Sequence, residues 1–119
     1  MRVSQFADLD EARAYYLALA DHAAQAAFEK SGYLATVHDI KHREALAGGG
    51  PLLEREAAQS GEKSADLAAR VLERRQEMET ALAAIEVSRI DTRRRIRDAA
   101  DIATMYAALA EHKAALAAL

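Results

Sequence analysis

Gly48-Gly49-Gly50-Pro51-Leu52-Leu53-Glu54-Arg55-Glu56-Ala57-Ala58-Gln59-Ser60-Gly61 interrupts a chain that otherwise reads as helix, and it holds the single proline and four of the five glycines. Glycine costs about 1 kcal/mol and proline about 3 kcal/mol in a helix interior, so a helix arriving at Leu46 must stop here. Beyond the stop, Leu52 to Ser60 reads as a short helix, started by Pro51 in its first turn and closed by Gly61 just past its end. Ser64 is placed to cap the long section that follows. Two helical arms joined by a compact connector are the result.

Upstream, Asp8, Asp10 and Glu11 put negative charge at a helix N-terminus, and apolar residues recur at Leu9, Ala12, Tyr16, Leu19, Ala23 and Ala26. The stripe continues through Tyr33, Val37 and Ile40, so the first arm covers about residues 8–46, with a break expected near Ser31-Gly32. Downstream, the second arm, about 64–100, carries Leu67, Val71, Leu72, Met78, Leu82, Ile85, Ile90 and Ile96 on one broad face. A bend is expected near Ala100. Asp101 would cap a last helix, about 101–118, through Ile102, Met105, Tyr106, Leu109 and Leu116. The expected fold is all-α: a single elongated helical bundle over residues 1–119, built on a long antiparallel helix pair. The Gly/Pro break at 48–51, the short helix at about 52–60 and the C-terminal helix complete it.

Composition limits what such a bundle can do. Of 119 residues, 51% are apolar, but 30 are alanine, and there is no tryptophan. Such helices bury little area each, so self-association or docking on a partner is expected to add to the core. A net charge of −3 with both signs intermixed fits neither a nucleic-acid binder nor a membrane binder. With no cysteine, disulfides and thiolate metal sites are excluded. The N-terminal residues lack the apolar run of an exported chain, which points to synthesis in the cytoplasm.

Few residues suggest chemistry. His38 and His42, four apart, would share a helix face near Asp39 and Glu44, but the acid position of a metalloprotease helix is not filled, so no metal is expected. His22 and His112 stand alone. Arg89, Arg93 and Arg97 form a row at i, i+4, i+8 that would suit phosphate or an acidic partner surface, although the stacking aromatics of a single-strand nucleic-acid track are missing beside it. The competing view is a self-neutralised face, pairing Glu86 with Arg89, Asp91 with Arg94 and Arg95, Asp98 with Arg94, and Asp101 with Arg97, which leaves Arg93 without a local partner. The triple glycine lacks the lysine and hydroxyl pair of a phosphate loop and reads as a hinge. Neither a serine-histidine-acid grouping nor a paired carboxylate appears, so no catalytic residue and no cofactor are expected. Tyr15, Tyr16, Tyr33 and Tyr106 read as core or core-edge residues.

Between His42 and Ala100 the pattern runs Arg43-Glu44-Ala45-Leu46-Ala47-Gly48, Pro51-Leu52-Leu53-Glu54, a glycine turn, Ala65-Asp66-Leu67-Ala68, then Ile85-Glu86, Arg89-Ile90 and Ile96. It resembles a small alanine-rich helical module of tailed-phage tail-fibre and tail-assembly proteins, over about half the chain. The resemblance implies a non-enzymatic virion or assembly protein that works through protein contacts. Its partners would be other phage structural or assembly proteins, or further copies of itself. Its place would be the host cytoplasm during assembly, or the virion. Two alternatives have other partners: a phage-encoded inhibitor that binds a host defence protein, and a ribbon-helix-helix DNA regulator. Leu53 to Leu67 supplies the two helices and turn of the latter, but three glycines and a proline stand where its strand belongs.

Overall fold

The structure is a computed structural model that describes residues 6–31 and 35–119. The fold is all-α: the helices are α1 (Leu9–Ser31), α2 (Ala35–Leu46), α3 (Pro51–Ser60), α4 (Ser64–Asp98) and α5 (Ile102–Ala117). No strand occurs among the described residues. The expected break at Ser31-Gly32 falls where description stops: α1 ends at Ser31, α2 begins at Ala35, and 32–34 lie outside the described residues. Contacts gather into two compact units. One holds α1, α4 from Ala81 onward and α5, and the other holds α2, α3 and α4 as far as Thr80.

The α2–α3 unit is organised by the glycine stretch. Gly48 and Gly49 take positive φ of 87° and 148°, which residues with a side chain rarely adopt, and Gly49 N–H donates to the Glu44 carbonyl at 2.8 Å. Pro51 then opens α3, and Gly61, with φ 79°, closes it by donating its N–H to Ala57 O at 2.9 Å. Gly50 has no side chain to cap α3, so the cap comes from the preceding helix. Glu44 reaches over and accepts from Leu53 N–H at 2.9 Å and from Leu52 N–H at 3.2 Å. A Cβ on Gly50 would stand 2.4 Å from Glu44 Cγ, so only glycine leaves the carboxylate room. Below this clamp Ala45, Leu53, Ala57, Leu67 and Ala68 form the core, flanked by Val71 and Leu72. Lys41 pairs with Glu56 at 2.8 Å and Arg75 with Asp39 at 2.7 Å, which sets α2 antiparallel to both α3 and the first part of α4.

In the α1–α5 unit the backbones of α1 and α5 approach most closely. Ala12, Tyr16 and Ala20 pack with Met105, Ala108 and Leu109, and α4 adds Ile96. Ala12, Ala20 and Ala24, on the four-residue line that Tyr16 interrupts, keep this face of α1 low, and a partner helix settles close against it. Arg13 donates to Ala99 O at 3.2 Å while Asp21 faces Arg89 and Arg93, so α1 runs antiparallel to this part of α4. Asp101 ends the turn between α4 and α5 by accepting Thr104 N–H at 2.7 Å, the cap expected from its position before Ile102.

Several burial expectations need correction. On α1 the buried line is Ala12, Tyr16, Ala20 and Ala24; Leu9 and Ala26 are exposed and Ala23 only half-buried, because spacing of four rather than alternating three and four faces α5. On α4 Ile90 is 55% exposed and Thr92 is buried in the line from Ile85 to Ile96, since Ile90 lies five residues from Ile85 and falls on the far side. Tyr106 points outward and His112 takes the inward position on α5. Ser64 is already helical: Leu67 N–H bonds to Lys63 O, so helical bonding starts one residue before the expected cap.

Candidate protein-contact surface

The arginine row sits on the last turns of α4, where its spacing aims Arg89 and Arg93 back at α1. Asp21 accepts from both: Arg89 Nη1 donates to Oδ1 at 3.2 Å and Arg93 Nη1 to Oδ2 at 2.6 Å. Arg89 also donates to Glu86, and its hydrogen bonds to Glu86 first and Asp21 second raise its pKa above the usual arginine value. Their side chains are only 30% and 22% exposed, so both hold α4 to α1. Asp21 is the partner that local pairing left out for Arg93, because it is 72 residues away in sequence. Arg97 is exposed and has no ion pair among the described residues. Arg94 pairs with Asp91 and stays 65% exposed, and Arg95 pairs with Glu111 of α5. Of this arginine cluster, Arg94 and Arg97 are the exposed members.

Beside these two cations lie exposed apolar side chains. Val87 and Ile90, 67% and 55% exposed, stand on the outward face of α4, with the exposed Ala83 one turn before Val87. Isolated exposed leucines need no explanation, but adjacent β-branched residues on one helix face form a patch that water solvates poorly. At the end of the same unit Phe6, Leu9 and Ile102 line a shallow apolar groove bordered by Asp8 and Asp101. Phe6 also stacks at tilted angles on Tyr15 and Tyr16, with centroids 5.1 and 5.8 Å away. Burial is the main cause that raises the Tyr16 pKa, helped by Tyr15 and Tyr106. Tyr16 is thus a core residue, while Tyr15 and Tyr106 are exposed and Tyr33 lies outside the described residues.

The histidines divide differently from their sequence spacing. His38 is exposed, and the Asp39 carboxylate beside it is held by Arg75, whose hydrogen bond lowers the Asp39 pKa. No group of three or more His, Asp or Glu side chains able to hold a metal forms among the described residues. His112, which sequence spacing left isolated, is 2% exposed and ties three helices together. Nε2 lies 3.0 Å from Ala20 O of α1 and Nδ1 lies 2.7 Å from Ser88 Oγ of α4. A carbonyl can only accept, so Nε2 carries a proton, and in the neutral ring Nδ1 accepts from the serine. The pair superficially resembles a nucleophile and its base, yet the second ring nitrogen meets a helix carbonyl rather than a carboxylate, and the imidazole is buried among packed helices. Its role is to satisfy polar groups inside an alanine-rich core. What could have revealed it is its place in the line Ile102, Met105, Leu109, His112, Leu116, spaced three and four apart.

Residues 42–100, on which the phage-module resemblance rests, form the end of α2, the Glu44 clamp, α3 and α4. No described helix is long and apolar enough to cross a membrane. No protein-family model matches the sequence, and no curated protein or solved structure is significantly similar to it.

Proposed function

We propose that the chain is a non-enzymatic contact module of tailed-phage tail or tail-fibre assembly, acting in the host cytoplasm or within the virion. The setting comes from the resemblance of residues 42–100. The contact chemistry comes from one observation: α4 turns an apolar patch of Val87 and Ile90, next to the cations Arg94 and Arg97, toward solvent. A helix presenting that combination suits a partner helix with apolar and acidic residues at matching steps. Arg89 and Arg93 support the surface from behind through Asp21, and Arg97 remains in the proposed partner-binding set with Arg94 beside it.

Mass spectrometry of purified particles and of tail-assembly intermediates tests this setting. The chain should appear in at least one of them, and repeated absence from both overturns it. Copurification with a single host protein and no virion protein would favour the defence-inhibitor alternative. Reversing Arg89 or Arg93 is a poor probe of docking, because a glutamate there would face Asp21 inside the unit. Reversing Arg94 and Arg97 changes exposed charge and breaks only the solvated Arg94–Asp91 pair.

A further inference from the structure

Where the start of α1 meets the turn between α4 and α5, a shallow groove of about 540 Å³ opens on the α1–α5 unit. Phe6, Leu9 and Ile102 give it apolar walls, and Asp8 and Asp101 stand at its rim. The Phe6 ring is steadied by its tilted contacts with Tyr15 and Tyr16 and still lines the groove. Each rim carboxylate caps a helix through one oxygen: Asp8 Oδ1 accepts Glu11 N–H and Asp101 Oδ1 accepts Thr104 N–H, both at 2.7 Å. Neither has an ion-pair partner among the described residues. Arg13 is taken by Asp10, and Arg97, one turn before Asp101, pairs with neither. Asp10, Glu11 and Asp98 add further negative charge, so carboxylates outnumber guanidinium groups among the described residues at this end of the unit.

We propose that this groove seats a basic side chain of a partner protein, with its hydrocarbon stem on the apolar walls and its cationic head between Asp8 and Asp101. A purely apolar side chain would strip water from two unpaired carboxylates without replacing their partners. An anion would meet like charge, and a small hydrated cation would gain nothing from the walls. An arginine or lysine side chain carries both halves of the match, a stem that covers apolar surface and a head that stays at the wet rim. The ring of Phe6 adds attraction for the cation. A shallow groove does not enclose a free small molecule, so the chain on either side of the basic residue supplies the rest of the contact. The groove shares no residue with the α4 patch of Val87, Ile90, Arg94 and Arg97, and it takes a partner group of the opposite charge. Its occupant is therefore independent of the phage-assembly proposal.

The test is an NMR titration of the isotope-labelled full chain with an acetylated, amidated peptide of alternating arginine and leucine. Amide signals of Leu9, Asp101, Ile102 and Ala103 should shift and saturate, and the affinity should fall as salt is raised. The matched peptide with glutamate in place of arginine should leave those signals unmoved. Asp8→Asn with Asp101→Asn should weaken binding of the arginine peptide by at least about tenfold. Each asparagine keeps an oxygen to cap its helix, and circular dichroism verifies that helix content persists. Phe6→Leu retains an apolar wall but removes the ring, and should weaken binding by about threefold. An arginine peptide that produces no saturating shift at these residues overturns the proposal. So does binding that survives the double asparagine change, or a glutamate peptide that binds equally well.

Discussion

Both units are held by small residues, but they use them for opposite purposes. In the α1–α5 unit, Ala12, Ala20 and Ala108 let two backbones approach, so packing is continuous and apolar. In the α2–α3 unit, Gly50 lets a carboxylate approach a backbone, so packing begins from a polar clamp between Glu44 and the start of α3. Alanine at a helix contact fixes an interhelical distance. Glycine at a helix start fixes a hydrogen-bond geometry. Composition alone does not distinguish the two uses, yet they fail in different ways when enlarged.

The largest effect is expected where alanine sets the distance. Ala20 is fully buried and its carbonyl receives His112, so Ala20→Leu forces α1 and α5 apart and strains that bond. A loss of about 3 kcal/mol is expected, at the upper end for overpacked cores. Ala18→Leu, two residues away and exposed, should change stability by less than about 0.5 kcal/mol. Urea denaturation followed by circular dichroism measures both. Equal tolerance of the two leucines would break the view that close approach organises this unit.

The glycine clamp should show a smaller but more diagnostic effect. Glu44→Ala removes the acceptor for Leu52 and Leu53 N–H and should cost about 1–2 kcal/mol, as loss of a helix N-cap does. Gly50→Ala in the wild-type chain pushes its Cβ into Glu44 and should cost a similar amount. In the Glu44→Ala background the same glycine change has little left to displace, so the two losses should be strongly non-additive. Additive losses would mean that Gly50 serves some other need.

Weaker still is the pair of arginines on Asp21. Asp21→Ala leaves Arg89 with Glu86 but deprives Arg93 of its partner, and the pairs are partly solvated. The expected loss is about 1 kcal/mol or less and should shrink at high salt. A larger, salt-independent loss would place this contact nearer the core than its exposure indicates.

These contrasts follow how far each feature was legible in sequence. Pro51, Gly61 and Asp101 act through their immediate neighbours, and their positions predicted the limits of α3 and the start of α5. The all-α class followed from the same local rules. Glu44, Asp21 and His112 act across the chain: Glu44 reaches eight or nine residues, Asp21 reaches 68 and 72, and His112 reaches 92. Local charge pairing is blind to such distances, so on sequence alone Arg93 has no partner and His112 stands isolated. Ile90 shows the remaining difficulty. A broad apolar face drawn over a 35-residue helix accepts residues from both sides, and only the neighbours of α4 separate its buried seam from its exposed stripe. The proposed contact surface thus depended on knowing which side the chain itself had covered.

The smallest effect concerns acid, and it separates a cap from an ion pair. The Thr104 hydroxyl and N–H hold the Asp101 pKa below its ordinary value, and the Arg75 hydrogen bond does the same for Asp39 in the other unit. A carboxyl depressed in the folded chain contributes stability above its unfolded pKa of about 4, and loses it as pH falls through the lower folded value. Asp101→Asn keeps an oxygen to accept from Thr104 N–H but has no proton to gain. The wild-type chain should therefore melt slightly higher than Asp101→Asn at neutral pH, and the gap should close in strong acid. Asp39→Asn should behave likewise with pH, but its neutral-pH deficit should also diminish with salt, because a cross-helix charge pair is what it removes. Melting temperatures at neutral and acid pH, in low and high salt, measure both variants. A deficit for Asp101→Asn that persists unchanged into strong acid would mean that the carboxylate charge is not what strengthens the start of α5.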